Sequence, residues 1–178
     1  MLEVGALKID NACSRSGLLD VTRIDLHSQH PDIQTQDFME RPLPSAAALE
    51  TDGFDILSLS LVVNYVGDAV GRGEMLKRVS SFLRPSSSES CEIASSVIPA
   101  LFLVLPAPCI LNSRYFDEER LESILRSLGY TRLRRHLSSK LVYYLWRYQQ
   151  GQEEEGVTFR KEELRSGKSR NNFAVIIA

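Results

Sequence analysis

Cysteine is scarce in this 178-residue sequence: only Cys13, Cys91 and Cys109. An odd count at wide spacing excludes a disulfide framework and fits a reducing compartment. No two of them form the C-x-x-C pair of a zinc site, and His27, His30 and His136 form no ligand set, so no metal is expected. Long apolar runs are missing as well. The longest, Ala100–Ala107, is far too short to cross a bilayer, so no membrane partner is expected. Glu3 and Asp10 interrupt any basic-then-apolar leader. There is no internal repeat, no phosphate-binding P-loop and no assignable Ser/His/Asp constellation. Glycine is sparse where a dinucleotide fingerprint would need it, since Gly5-Ala6-Leu7-Lys8 holds one glycine.

What is present is ordinary for a globular chain: 43% hydrophobic and 25% charged residues. That balance excludes a disordered chain, a collagen-like repeat and a pure coiled coil. The length fits one domain over 1–178. Low-complexity stretches are minor, and 85–90 and 149–155 read as surface loops.

The net charge of −2 hides an asymmetry. Residues 1–60 hold four Lys/Arg against ten Asp/Glu, whereas residues 123–152 hold six basic groups and no acid. The cluster Arg132, Arg134, Arg135 and Lys140 can dock phosphate on a locally cationic face. The plainer alternative is an edge strand carrying charge against aggregation.

The apolar pattern alternates between strand-like and helix-like stretches. Leu2–Gly5, 21–26, Ile33–Gln36, Phe54–Val63 and Leu101–Leu105 read as strands, the last two nearly continuous in apolar residues. A parallel sheet covered on both faces requires such runs. Residues 73–83 place Met75, Leu76, Val79, Phe82 and Leu83 on one helical face. Residues 117–128 do likewise, with Asp117 as N-cap and Gly129 at C′. Arg132–Leu137, Leu141–Arg147 and Phe173–Ile177 read as further strands. The expected class is α/β: a Rossmann-like, mainly parallel sheet flanked by helices, with antiparallel strands near the C-terminus.

Ligands of open α/β sheets bind beyond the carboxyl ends of the strands. The candidate positions are Gly5, Asp25, Asp37-Phe38 and Ser60 to Tyr65. A glycine lets backbone approach a ligand, and a carboxylate twenty residues later can accept both hydroxyl protons of a ribose. The alternative is a turn glycine with a surface acid. Asp37 can accept from an exocyclic amine while the Phe38 ring packs on a base face; alternatively they are a helix N-cap and a core Phe. Asn64 and Tyr65 either grip a base edge or close a loop.

Leu2-Glu-Val-Gly-Ala-Leu7, Asp20-Val-Thr-Arg-Ile-Asp-Leu26 and Gln36-Asp-Phe-Met39, followed by Asp55–Val66, Gly71–Leu76, Asn112–Tyr115 and Asn171–Phe173, resemble a class I methyltransferase. More narrowly, the chain resembles the fungal nucleolar 25S rRNA adenine-N1 methyltransferases across nearly its whole length. The resemblance implies S-adenosylmethionine as cofactor, with Gly5 and Asp25 as contacts and Asp25 on the ribose. It implies Asp37 and Phe38 facing the cofactor's adenine, Ser60 lining its methionine side, and Asn64 orienting the substrate as the catalytic candidate. It implies transfer of a methyl group to N1 of an adenine in large-subunit rRNA. Arg132, Arg134, Arg135 and Lys140 then face the RNA of the pre-ribosome, and the protein is a nucleolar monomer acting in ribosome biogenesis.

Relatives carry a substantial segment before the first strand, which implies a chain shortened at its N-terminus with a sheet edge and one sheet face left bare. The reduced glycine motif implies weak cofactor affinity. Animal relatives include an S-adenosylmethionine sensor of the TOR pathway, so the alternative function is a cofactor-binding regulatory module without transfer.

Overall fold

A computed structural model describes residues 1–85 and 97–178. Cys91 and most of the loop expected at 85–90 lie outside the described residues. The seven strands are β1 Leu2–Val4, β2 Thr22–Asp25, β3 Gln34–Thr35, β4 Ile56–Ser60, β5 Ala100–Pro106, β6 Leu128–Leu137 and β7 Leu141–Glu153. They form one sheet in the order β3-β2-β1-β4-β5-β7-β6. The first five are parallel, and β7 runs antiparallel to both neighbours. This is the expected Rossmann-like arrangement, mainly parallel with antiparallel strands towards the C-terminus.

The described helices are α1 Ala12–Arg15, α2 Ala46–Asp52, α3 Ala69–Val79, α4 Ala107–Leu111 and α5 Glu118–Ser127. Four start on side-chain caps that satisfy an otherwise orphaned amide. Asn11, Ser45, Asp68 and Asp117 accept from the N–H of Ser14, Ala48, Gly71 and Arg120. Gly129 follows α5 at φ +83°, the left-handed position expected of it.

Register decides which face is core. Leu2, Leu57, Leu101 and Trp146 lie side by side across β1, β4, β5 and β7, as do Val4, Leu59, Leu103 and Tyr144. This face is buried with Met75, Leu76 and Val79 of α3, Leu121, Ile124 and Leu125 of α5, and Phe173, Val175 and Ile177. Each such side chain contributes about 1.5–3 kcal/mol on burial. The opposite face carries Glu3, Ser58, Phe102 and Leu145 in one row. There Asn11, capping α1, donates to the Glu3 carboxylate at 2.7 and 2.9 Å, and the Arg23 guanidinium donates to Ser14 Oγ. Phe102, Tyr143, Leu145 and Arg147 on this face are only half-buried.

Three readings of the sequence change. The third strand is two residues long, and β7 runs on through Glu153 where a loop was expected. Phe173–Ile177 is extended but stands outside the sheet, packed on α3, with one isolated bridge between Ile177 and Phe159. A short apolar run alone does not separate a sheet strand from a strap whose backbone partners are loops and helix ends.

Candidate functional site

β1, β2, β3 and β4 all end at one edge, so Gly5, Asp25, Asp37, Ser60 and Asn64 are brought together there. The Gly5 and Ala6 amides both donate to Ile24 O, at 2.9 and 3.1 Å, which turns the chain away at the end of β1. Gly5 sits at φ +75°, and a Cβ there would come within 2.6 Å of Val62 Cγ2 and 4.0 Å of Ser60 O. Only glycine fits a left-handed turn this close to the neighbouring strand end.

Asp25 closes β2. Its Oδ1 accepts from His27 N–H at 2.8 Å, which fixes the carboxylate and leaves Oδ2 without a partner among the described residues. Asp37 repeats the device one strand further out, with Oδ1 accepting from Met39 N–H at 2.7 Å. Asp25 O accepts from Gln36 N–H at 2.9 Å and ties the two strand ends together. Two rigidly held carboxylates, each with a free oxygen, suit a vicinal diol and an exocyclic amine. The Phe38 ring is placed in the core, 3% exposed and 5.4 Å from the Phe82 centroid, rather than standing at the edge. Phe38 O accepts from Arg78 Nε at 3.0 Å, which pins the loop to α3.

β4 ends in a tight turn. Ser60 is half-buried, and the following Leu61 adopts φ +60°, a conformation that costs a non-glycine residue about 1–2 kcal/mol. Leu61 N–H donates to Val104 O at 3.0 Å, which holds the turn against β5. The chain then passes through a 3₁₀ turn, Val63–Tyr65. There the Asn64 carbonyl Oδ1 is buried without a partner among the described residues, and Tyr65 is 83% exposed. A buried unpaired acceptor is costly and marks a position able to receive a donor from a ligand. Leu61 was not legible in the sequence, because the apolar run continues through it without a break.

The residues present fit a nucleoside-bearing cofactor. The glycine leaves room for close backbone approach, two carboxylates keep open acceptor oxygens, and a buried amide oxygen lacks a donor.

The basic cluster divides. Arg132 Nη1 pairs with Glu118 at 2.8 Å and Glu122 at 3.3 Å, and Arg135 Nε pairs with Glu118 at 2.9 Å. Both acids come from α5. Arg134 and Lys140 are exposed and meet no carboxylate among the described residues. The turn bearing Lys140 abuts the end of β5, where Ala107 N–H donates to Lys140 O at 2.8 Å. It therefore sits at the same edge of the sheet as Gly5 and Asp25.

A cavity of about 660 Å³ opens where α3 begins, at Gly67 and Asp68. Its lining includes Asp68 and Arg72 of the α3 entrance, Cys109 of α4, Lys161, and Asn172 and Phe173 of the C-terminal strap. Arg72 donates to Val66 O (3.0 Å) and Ala174 O (2.9 Å), and its guanidinium lies 4.6 Å from the Phe173 centroid. Burial pushes the Cys109 thiol up to about 11 despite the Arg72 charge, so it stays protonated at neutral pH. Among the described residues there is no group of three or more His, Cys, Asp or Glu able to hold a metal ion.

The family model described as "25S rRNA (adenine(2142)-N(1))-methyltransferase, Bmt2" matches residues 1–175. A Schizosaccharomyces pombe protein named "25S rRNA adenine-N(1) methyltransferase" is 40% identical over 175 residues, covering 98% of this chain and 59% of its own length. A Saccharomyces cerevisiae protein named "25S rRNA (adenine(2142)-N(1))-methyltransferase" is 37% identical over 177 residues, covering 99% of this chain and 48% of its own. The chain thus spans between about half and three fifths of these curated relatives. A solved structure described as "Crystal Structure of the N-terminal domain of EvdMO1 with SAH bound" aligns over 82% of this chain and 71% of that one. Its identity is 11% and its TM-score 0.46.

Proposed function

Since the chain belongs to the family of 25S rRNA (adenine(2142)-N(1))-methyltransferases, we propose that it binds S-adenosylmethionine at the carboxyl edge of its sheet and methylates N1 of an adenine in large-subunit rRNA. The observation that carries the reading is the convergence of Gly5, Asp25, Asp37, Ser60 and Asn64 on that edge, with two carboxylates fixed by their own backbone turns. Bound S-adenosylmethionine supplies a methyl group on a positively charged sulfur, already activated for attack by a lone pair.

The protein's own work is then alignment and exclusion of water. Asp25 accepts from the ribose hydroxyls, and Asp37 from the adenine amine of the cofactor. Gly5 gives the methionine portion close access to the β1 turn, and Ser60 lines it from the end of β4. Asn64 offers its unpartnered oxygen to an amine donor beside the reacting atoms. The substrate adenine must leave its stack to reach this edge, which favours a single-stranded or distorted rRNA segment. Arg134 and Lys140 supply phosphate contacts. On this reading the protein works in the nucleolus with the pre-ribosome as partner, as its resemblance to the fungal nucleolar enzymes implies.

The test is incubation of the 178-residue chain with unmodified large-subunit rRNA and methyl-labelled S-adenosylmethionine, with the product mapped by reverse transcription. The expected result is a label on adenine that blocks reverse transcription, as a methyl on N1 does, and its loss in Asp25→Ala. Binding of S-adenosylmethionine without transfer to rRNA overturns the enzyme reading and favours a regulatory module.

A further inference from the structure

The C-terminal strap is built with more care than a tail needs. Ile176 N–H donates to Ala69 O at 2.9 Å, and Arg72 Nη1 to Ala174 O at 2.9 Å. Ser113 Oγ donates to Phe173 O at 2.5 Å, and Asn171 N–H to Asn112 O at 2.9 Å. Gly73 of α3 is bare under the strap. Asn112–Arg114 and Asn171–Phe173, far apart in the chain, thus hold each other. The result of this bracing is one wall of the 660 Å³ cavity.

The lining carries groups, on the strap and on the residues around it, that internal bonding leaves with spare capacity. Asp68 Oδ1 caps α3 through Gly71 N–H at 2.7 Å, and Oδ2 has no partner among the described residues. Asn172 Oδ1 accepts from Arg114 Nη1 at 2.6 Å, so its Nδ2 is left to donate. The exposed Lys161 ammonium lies 4.4 Å from the Tyr115 ring centroid and meets no carboxylate among the described residues. Phe173, braced by Arg72, and Ala174 give an apolar surface. The volume is within the range of small-molecule sites, roughly 300–1,000 Å³.

We propose that this cavity receives the acceptor adenosine nucleotide of the RNA, with Asp68 taking the exocyclic amine, Asn172 donating to a ring nitrogen, and Lys161 on the phosphate. The inference rests on the methyltransferase reading and names the substrate side of that site. The chemistry favours an adenine in this place. Its N6–H needs an acceptor, which Asp68 Oδ2 provides while N1 is left bare. Methylation at N1 leaves the base positively charged, and a carboxylate beside it lowers the energy of that developing charge. The lining begins at Gly67 and Asp68, three and four residues after Asn64 in the chain.

The test is titration of the 178-residue chain with adenosine 5′-monophosphate, inosine 5′-monophosphate and, separately, S-adenosylmethionine. Wild type is compared with Lys161→Glu and Asp68→Asn. Lys161 is exposed and Asn caps helices as well as Asp does, so both variants are expected to fold. The expected result is preference for the adenosine over the inosine nucleotide, about tenfold weaker adenosine nucleotide binding in Lys161→Glu, and loss of the preference in Asp68→Asn. S-adenosylmethionine affinity is expected to stay within about twofold in both, since one unit of 1.4 kcal/mol is already tenfold. Equal binding of the two nucleotides by wild type, or unchanged adenosine nucleotide binding in Lys161→Glu, overturns the assignment. A parallel loss of S-adenosylmethionine in both variants also overturns it, because the cavity then belongs to the cofactor. Failure of wild type to bind S-adenosylmethionine at all overturns the methyltransferase reading instead, and the acceptor role with it.

Discussion

Gly73 of α3 lies so close beneath the Ile176 carbonyl that a Cβ added to it would stand 1.8 Å from that oxygen. The helix and the C-terminal strap touch backbone to backbone. A methyl group at this position cannot be absorbed by a side-chain rotation, because the obstructing atom is main chain. Gly73→Ala is therefore expected to lift the strap from α3, against the gain of roughly 1 kcal/mol that alanine brings to a helix interior. Overpacking costs about 1–3 kcal/mol, and here the cost exceeds the propensity gain. Thermal unfolding should show a lower midpoint for Gly73→Ala, and a raised midpoint would contradict the contact.

The split in the basic cluster predicts unequal roles for four neighbouring cations. Arg132 and Arg135 share Glu118, so their charge is largely met within the molecule. These are partly exposed pairs, screened by solvent and worth about 0–1 kcal/mol each. Arg134→Glu with Lys140→Glu is expected to weaken RNA binding and to lower the slope of log affinity against log salt by about one per lost phosphate contact. Arg135→Ala is expected to leave that slope nearly unchanged. Equal slopes for the two sets of variants would remove the distinction.

Cys109 predicts a pH dependence. Burial holds its thiol up at about 11, with the Arg72 charge opposing. The thiolate reacts, and at pH 8 it makes up about one part in a thousand of such a thiol. With Cys13 and Cys91 changed to serine, iodoacetamide should label Cys109 slowly at pH 8, about tenfold faster for each unit up to pH 10. A group whose folded value is raised contributes stability fully present below its ordinary value of 9, and that contribution is lost as pH rises towards 11. A labelling rate that levels off near pH 9 would contradict the burial of this wall of the cavity.

The legible parts of the fold were those where pattern and environment agree. Continuous apolar runs gave β4 and β5 because a parallel sheet buries both sides of its central strands. The Asp117 cap, a four-residue apolar stripe and Gly129 gave α5 almost to the residue. β3 falls inside the expected Ile33–Gln36 but keeps only two residues, because two paired positions give no period that would mark its ends. α4, from Ala107 to Leu111, is a short turn after Pro106 with no polar cap to announce it. Among site residues, Gly5, Asp25, Asp37, Ser60 and Asn64 could be placed because strand ends can be placed. Phe38 carried two readings in the sequence, and burial against Phe82 selects the core one. The pairing of Arg132 and Arg135 with Glu118 was hidden, since the partners come from a helix that only the folded chain lays beside β6. The cavity was hidden for the same reason: its walls are brought from residues about a hundred apart, as Arg72 and Ala174 are.

The most direct test of the cofactor edge is calorimetric titration of the 178-residue chain with S-adenosylmethionine, with Asp25→Ala as the control. The account predicts one site per chain in the wild type and loss of about tenfold to a hundredfold in affinity for the variant, since charge-assisted hydrogen bonds contribute about 1.5–3 kcal/mol. Binding that Asp25→Ala leaves intact, or no binding by the folded wild-type chain, would contradict it.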